Sequence, residues 1–152
     1  IARDRLQRWA AVVPPQYVAL TTRAGQEADD QDARMFDEAM THYSARRFSQ
    51  AAERLQALND RSPLAQVQFF LGISELMSGE EGRAGVALQL CAAQRTSPYS
   101  DEAHFYLAKL ALRGGGGDLT AAVRHLEITV ERGAGPTGEA ARLLEEIKHV
   151  RR

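Results

Sequence analysis

Three times along this chain, a small residue in one amphipathic stretch is followed at nearly constant distance by a small-and-apolar stripe in the next. The small residues of the first stretch are Ala39, Gly72 and Ala108, spaced by 33 and then 36 positions. The stripes of the second are Ala51/Leu55/Leu58, Ala84/Leu88/Cys91 and Ala122/Leu126/Thr129, each stepping by four and then three. Such steps keep residues on one face of an α-helix. The small residue of the first stretch precedes that of the second by 12, 12 and 14 positions, and the extra two fall in Gly114 to Gly117. Helix breakers follow each pair at Ser62-Pro63, Ser97-Pro98 and Gly135-Pro136. A helix pair of this kind cannot bury its apolar face alone, so stacking is obligatory and the last unit needs a cap. Gly138 to Val150 supplies one, with Ala140, Leu143, Leu144 and Ile147 facing inward and Glu145, Glu146 and Lys148 in water.

The middle pair shows the pattern most clearly. Gln66 to Ser78 and Arg83 to Cys91 read as two antiparallel helices joined by a turn at Ser78 to Glu81. Upstream, residues 2 to 12 form an amphipathic helix with Leu6, Trp9 and Val13 on one side and Arg3, Arg5 and Arg8 on the other. Pro14-Pro15 stops it, because a proline ring disfavours helical backbone in the residue before. Pro14 to Gly25 is extended and irregular, a linker lying on the first helix pair, with Tyr17, Val18 and Leu20 able to pack. The expected organisation is an N-terminal helix and linker over 1–26 and a repeat domain over 27–152. Within the latter, the pairs lie at about 33–63, 66–98 and 102–136, with the cap at 138–150.

The net charge of −1 provides no global field for nucleic acid or an anionic membrane. With a single cysteine there is neither an internal disulfide nor a cysteine-rich metal site. No apolar run is long enough to cross a bilayer. A first residue of Ile rather than Met suggests a fragment of a longer chain. His42, His104, His125 and His149 lack metal-ligand spacing. The carboxylate pairs Asp29-Asp30, Glu80-Glu81 and Glu145-Glu146 sit where helix starts and solvated faces want them. Gly114 to Gly117 lacks the Lys-Ser/Thr of a phosphate loop, so it reads as an inter-helix turn with Asp118 as N-cap. Cys91 reads as a packed hydrophobe. No metal, cofactor or catalytic constellation is expected.

The period and the small-residue positions from Ala33 to Val150 resemble tetratricopeptide repeats. The large aromatic usual near the start of each first helix is displaced by one position. The resemblance implies an all-α, right-handed α-solenoid of three helix pairs plus a C-terminal capping helix, with the first helices lining a concave face. Carried over, that face holds Phe36, Met40 and Tyr43, then Gln66, Phe69, Ile73 and Leu76, then Glu102, Phe105, Lys109 and Leu112. Phe36, Phe69 and Phe105 are equivalent positions, expected to stack as a ladder and each to expose part of a ring. The alternative is that these rings only pack between adjacent repeats. Chaperone-binding members of the family clamp a C-terminal carboxylate with Lys, Asn and Arg. Here Phe36, Met40, Phe69 and Ile73 replace most of those, leaving Lys109 and Arg113, so an apolar helix or extended segment is the expected partner.

A second resemblance covers the whole chain. Trp9, then Pro14-Pro-Gln-Tyr-Val18 and Thr21-Thr-Arg-Ala-Gly25 leading into the repeats, is similar to the region after the membrane span in zinc-finger membrane anti-sigma proteins. It implies an extracytoplasmic sensor or scaffold at the periplasmic face of the inner membrane, anchored through a segment upstream of Ile1. The run from Ser97 to Lys109 also resembles periplasmic repeat proteins such as the coordinator of the Tol–Pal system. A cytoplasmic location is the alternative. The partner expected is a protein or peptide, with no nucleic acid; the oligomeric state is open.

Overall fold

The computed structural model describes residues 2–18, 30–114, 117–136 and 138–151. Among the described residues the chain is all helix: α1 (Arg3–Ala10), α2 (Asp30–Ser44), α3 (Phe48–Arg61), α4 (Ala65–Met77), α5 (Glu81–Ala93), α6 (Pro98–Arg113), α7 (Leu119–Glu131) and α8 (Glu139–Arg151). These are the three pairs and the cap that the sequence pattern calls for. The chain divides into two compact units, Pro14–Ala87 and Ile1–Val13 together with Leu88–Arg152.

In the unit Pro14–Ala87, α2 packs on α3 and α3 on α4. In the other unit, α6 packs on α7, α7 on α8, and α1 on α6. Packing between consecutive helices is that of a helical repeat, and the small-residue stripes make it possible. Ala39, Ala51, Ala84, Ala108 and Ala122 are completely buried, and so are Leu55, Leu88 and Leu126 one turn further along their stripes. A methyl group at these positions lets two helix axes approach, while the leucine beside it fills the space between them. Helix α8 buries Ala140, Leu143, Leu144 and Ile147, as a cap should. Helix α4 is buried from Ala65 to Leu76 at every position but Gln66. That all-round burial suits its sequence, in which Glu75 is the one charged residue.

Local sequence sets several ends. Asp118 caps α7, its Oδ1 accepting from the Ala121 N–H at 2.9 Å. Ser97 caps α6 through Tyr99 N–H at 3.2 Å, and Pro98, which the sequence presents as a stop, is the first residue of that helix. Proline is well placed there, since its missing N–H would have had no intrahelical partner. The N-terminal helix is shorter than expected. It ends at Ala10, and Val13 is 83% exposed rather than part of the apolar face, because the chain has already left the helix ahead of Pro14. Of the glycine run, Gly115 and Gly116 lie outside the described residues, as does Leu20 of the linker. Gly117 has a φ of +78°, and a Cβ there would lie 2.8 Å from Cδ2 of Leu6. Glycine is favoured there by its backbone, while a Cβ would ask only the end of the Leu6 side chain to shift.

Gly72 is buried on α4 in the middle of the repeat pattern. Replacing it with leucine should cost roughly 1–3 kcal/mol by overpacking. A thermal melt of Gly72→Leu indistinguishable from that of the parent would contradict the small-residue packing described here.

Candidate partner-binding faces

In the unit Pro14–Ala87, the chain's own linker lies on the first helices. The Tyr43 hydroxyl donates to the carbonyl of Pro15. The Tyr17 ring stands edge-on to Phe36 and to Phe70, with centroids 5.6 and 5.5 Å apart. Phe70 in turn meets Tyr43 and Phe69, each at 5.1 Å. Edge-to-face contacts of this kind set the positive ring edge of one aromatic against the negative face of the next. Met40, Tyr43, Phe69, Ile73 and Leu76 are all buried, and Phe36 is half-buried. The cluster is held together by Phe70, which sequence reasoning passed over. Its one signal was its place directly beside Phe69 in a helix with no polar face.

In the other unit, α6 carries Phe105, Lys109 and Leu112, and α1 lies on this helix. Lys109 is 4% exposed, yet it is not held chiefly by a carboxylate. Its Nζ donates to the carbonyl of Trp9 at 2.7 Å, lies 3.8 Å from Oε1 of Glu139, and sits 5.4 Å from the centre of the Phe105 ring. One turn on, Arg113 Nε donates to the carbonyl of Ala10 at 3.1 Å. The last carbonyls of a helix have no intrahelical partner and carry its negative dipole end, so two cations there satisfy both needs. From α8, Oε2 of Glu146 accepts the indole N–H of Trp9 at 2.8 Å. Trp9 is 5% exposed, and Arg5 and Arg8 share its surroundings with Glu145 and Glu146. Burial lowers the pKa of Lys109, and Glu139 partly restores it.

The expectation of exposed rings is therefore met by Phe36 alone, since Phe69 and Phe105 are 3% and 2% exposed. Phe105 packs against Tyr106 and beneath Lys109, and Gly135 approaches it so closely that a Cβ there would lie 3.4 Å from the ring. Glu102 accepts the Gly135 N–H at 3.0 Å, which fixes the turn after α7. Of the expected positions, the structure gathers Phe36, Met40, Tyr43, Phe69, Ile73 and Leu76 in one unit and Phe105, Lys109 and Leu112 in the other. Arg113, expected beside Lys109, bonds the same helix end, whereas no local pattern pairs Trp9 or Glu146 with them.

Two other groups bear on chemistry. Cys91 is completely buried, its thiol donating to the Tyr99 carbonyl at 3.4 Å, and burial pushes its pKa up to about 12. A thiol so far from ionisation is a packed hydrophobe and not a nucleophile. His104 and His125, whose sequence spacing gave no hint of a pair, meet at 3.0 Å through their Nδ1 atoms. One must donate and the other accept, so at most one bridging proton fits. Among the described residues, no group of three His, Cys, Asp or Glu is placed to hold a metal ion. Burial lowers both pKa values, that of His125 to about 4, with the neighbouring His104 charge as a further cause.

A histidine with a lowered folded pKa contributes stability at and above its unfolded value near 6.5, and that contribution is lost as the pH falls toward about 4. Acidification across that window should cost roughly 2 kcal/mol through this pair. His125→Asn keeps a neutral partner beside His104, so its melting temperature should fall less over the same window. An acid slope as steep as the parent's would show that the pair does not control it.

No family model and no curated protein sequence matches the chain. Among solved structures, a chain of the "CopN-Scc3 complex" is similar, with 22% identity and a TM-score of 0.62 over 99% of this chain and 88% of that one. This likeness shows the fold, an all-helical arrangement shared across nearly the whole length.

Proposed function

We propose that this chain is a protein-interaction module of the tetratricopeptide type that receives a partner helix on α6, and that α1 occupies this face as its resident helix. The observation that carries the reading is the pair of bonds from Lys109 and Arg113 to the carbonyls of Trp9 and Ala10. Side chains that bond backbone carbonyls recognise a helix end without regard to its sequence, while Trp9 supplies the anchor. That combination is helix-in-groove recognition. In the unit Pro14–Ala87, Phe36, Met40, Tyr43, Phe69, Ile73 and Leu76 form the corresponding face for an extended apolar segment, with Tyr17 as its internal occupant. The similar solved chain was itself seen in a complex, in keeping with an interaction role.

For the wider context, we propose the extracytoplasmic sensor or scaffold part of a membrane-anchored anti-sigma-like regulator. The support is the order of Trp9, the proline pair and Tyr17 ahead of the repeats. The location would be the periplasmic face of the inner membrane. A periplasmic adaptor of the Tol–Pal coordinator type is the second reading, favoured by the run from Ser97 to Lys109. An apolar span of about 20 residues encoded just upstream, itself preceded by His-x-x-x-Cys-x-x-Cys, would support the first reading, and a cytoplasmic enzyme domain there would overturn both.

The helix-receiving face is tested with Trp9→Ala in the whole chain and a synthetic peptide of residues 2–13. Trp9 is the chain's one tryptophan, so the peptide's fluorescence reports binding to Trp9→Ala without background, while binding to the parent, which keeps its own Trp9, is read by calorimetry. The peptide should bind Trp9→Ala and be excluded from the parent, and adding Lys109→Met should weaken it by more than about fivefold. Equal binding to parent and variant would contradict the proposal.

A further inference from the structure

A cavity of about 590 Å3 lies within the unit Pro14–Ala87, walled by α3, the end of α4 and the first turn of α5. Into it face Glu53 and Ser49 of α3, Glu75 and Ser78 of α4, Glu80 of the following turn, and Arg83 of α5. Glu75 sets it apart from an ordinary acidic surface. This carboxylate is 5% exposed, it is the one charge in α4, and its Oε1 is buried with no hydrogen-bond partner. A buried carboxylate oxygen in a native fold is ordinarily satisfied, because leaving it unpaired is costly. Nothing in the repeat packing calls for a charge here; the equivalent positions of the other first helices are His42 and Ala111.

We propose that this cavity binds a guanidinium group, with Glu75 as the carboxylate that receives it and Glu53 and Glu80 as the flanking acceptors. Three carboxylates against one cation, Arg83, favour a positively charged ligand. The carboxylates are too dispersed to share a metal ion, since no group of three metal-ligating side chains is found among the described residues. A guanidinium spreads five N–H donors over a plane and can reach separated acceptors that a point charge cannot. Ser49 and Ser78 provide further oxygens at the rim.

The titration of Glu75 agrees with this role. Burial raises its pKa to about 7, Arg83 lowers it and Glu80 raises it further. At neutral pH the empty site is therefore poised between its neutral and charged forms, and a bound cation would draw the proton off. Affinity should accordingly rise with pH up to and through about 7 and level off above it. The guanidinium has two possible sources, a small free compound or an arginine side chain of a protein partner. The site stands independently of the docking of α1.

The test is titration of the intact chain with ethylguanidinium, butylammonium and Nα-acetyl-arginine amide, followed by the side-chain carboxyl carbon resonances. Ethylguanidinium should bind more tightly than butylammonium, shift the Glu75 titration to lower pH, and lose roughly tenfold in affinity between about pH 8 and about pH 6. Glu75→Gln, which keeps the shape and removes the charge, should weaken binding at least about tenfold, whereas Arg83→Gln should strengthen it. Acetyl-arginine amide binding well above ethylguanidinium assigns the source to a protein partner, and equal binding assigns it to a small compound. Unchanged affinity in Glu75→Gln, or a Glu75 titration unmoved by saturating ethylguanidinium, would overturn the proposal. The second readout needs only the parent protein.

Discussion

A buried ammonium group that spends its hydrogen bond on a backbone carbonyl is the contact on which the docking of α1 depends. Helix α1 has only 8 residues and buries two of them, Trp9 and Ala10. A helix that short is not stable alone in water, because nucleation costs more than its few hydrogen bonds return. It persists because α6 supplies what its C-terminal end lacks. Lys109 and Arg113 take its last carbonyls, and Glu146 takes the indole N–H. Removing the helix would leave Lys109 among apolar residues with only Glu139, at 3.8 Å, to offset its burial. The docking of α1 and the burial of Lys109 therefore stabilise each other.

The repeat itself was legible in the sequence because it is periodic. Ala39, Gly72 and Ala108, with the stripes through Ala51, Ala84 and Ala122, announce the helix pairs from their spacing, and each proves buried. The functional faces were only half legible. Position within a repeat placed Phe105, Lys109 and Leu112 on one helix, but no local pattern could say that residues 100 positions upstream lie against them. The bond between Lys109 and Trp9 is a long-range fact that leaves no periodic trace. The same holds for the meeting of His104 with His125, whereas the linker was expected on the first helix pair, and Tyr17 does meet Phe36 there. Exposure of Phe69 and Phe105 failed as an expectation for a related reason: local pattern reports which face a ring is on, not what comes to cover it.

Each unit covers an apolar face with residues from the N-terminal part of the chain, and each does so by different physics. In one, aromatic edges and a tyrosine hydroxyl hold an extended segment. In the other, two cations hold the end of a helix. A face that already accepts a segment of its own chain is organised to accept another of the same kind, and that organisation is the physical basis of the interaction role proposed here. Glu75 belongs to neither set of contacts, a carboxylate buried at a cost that neither occupant explains.

The most direct test of this account is hydrogen exchange at the Trp9 indole, followed by NMR in the intact chain. A docked α1, bonded to Glu146 and closed over Lys109, predicts that the indole proton exchanges as slowly as the core amides of α6, around Leu107 and Ala108. An indole that exchanges at the rate of free tryptophan while the α6 amides remain protected would contradict it.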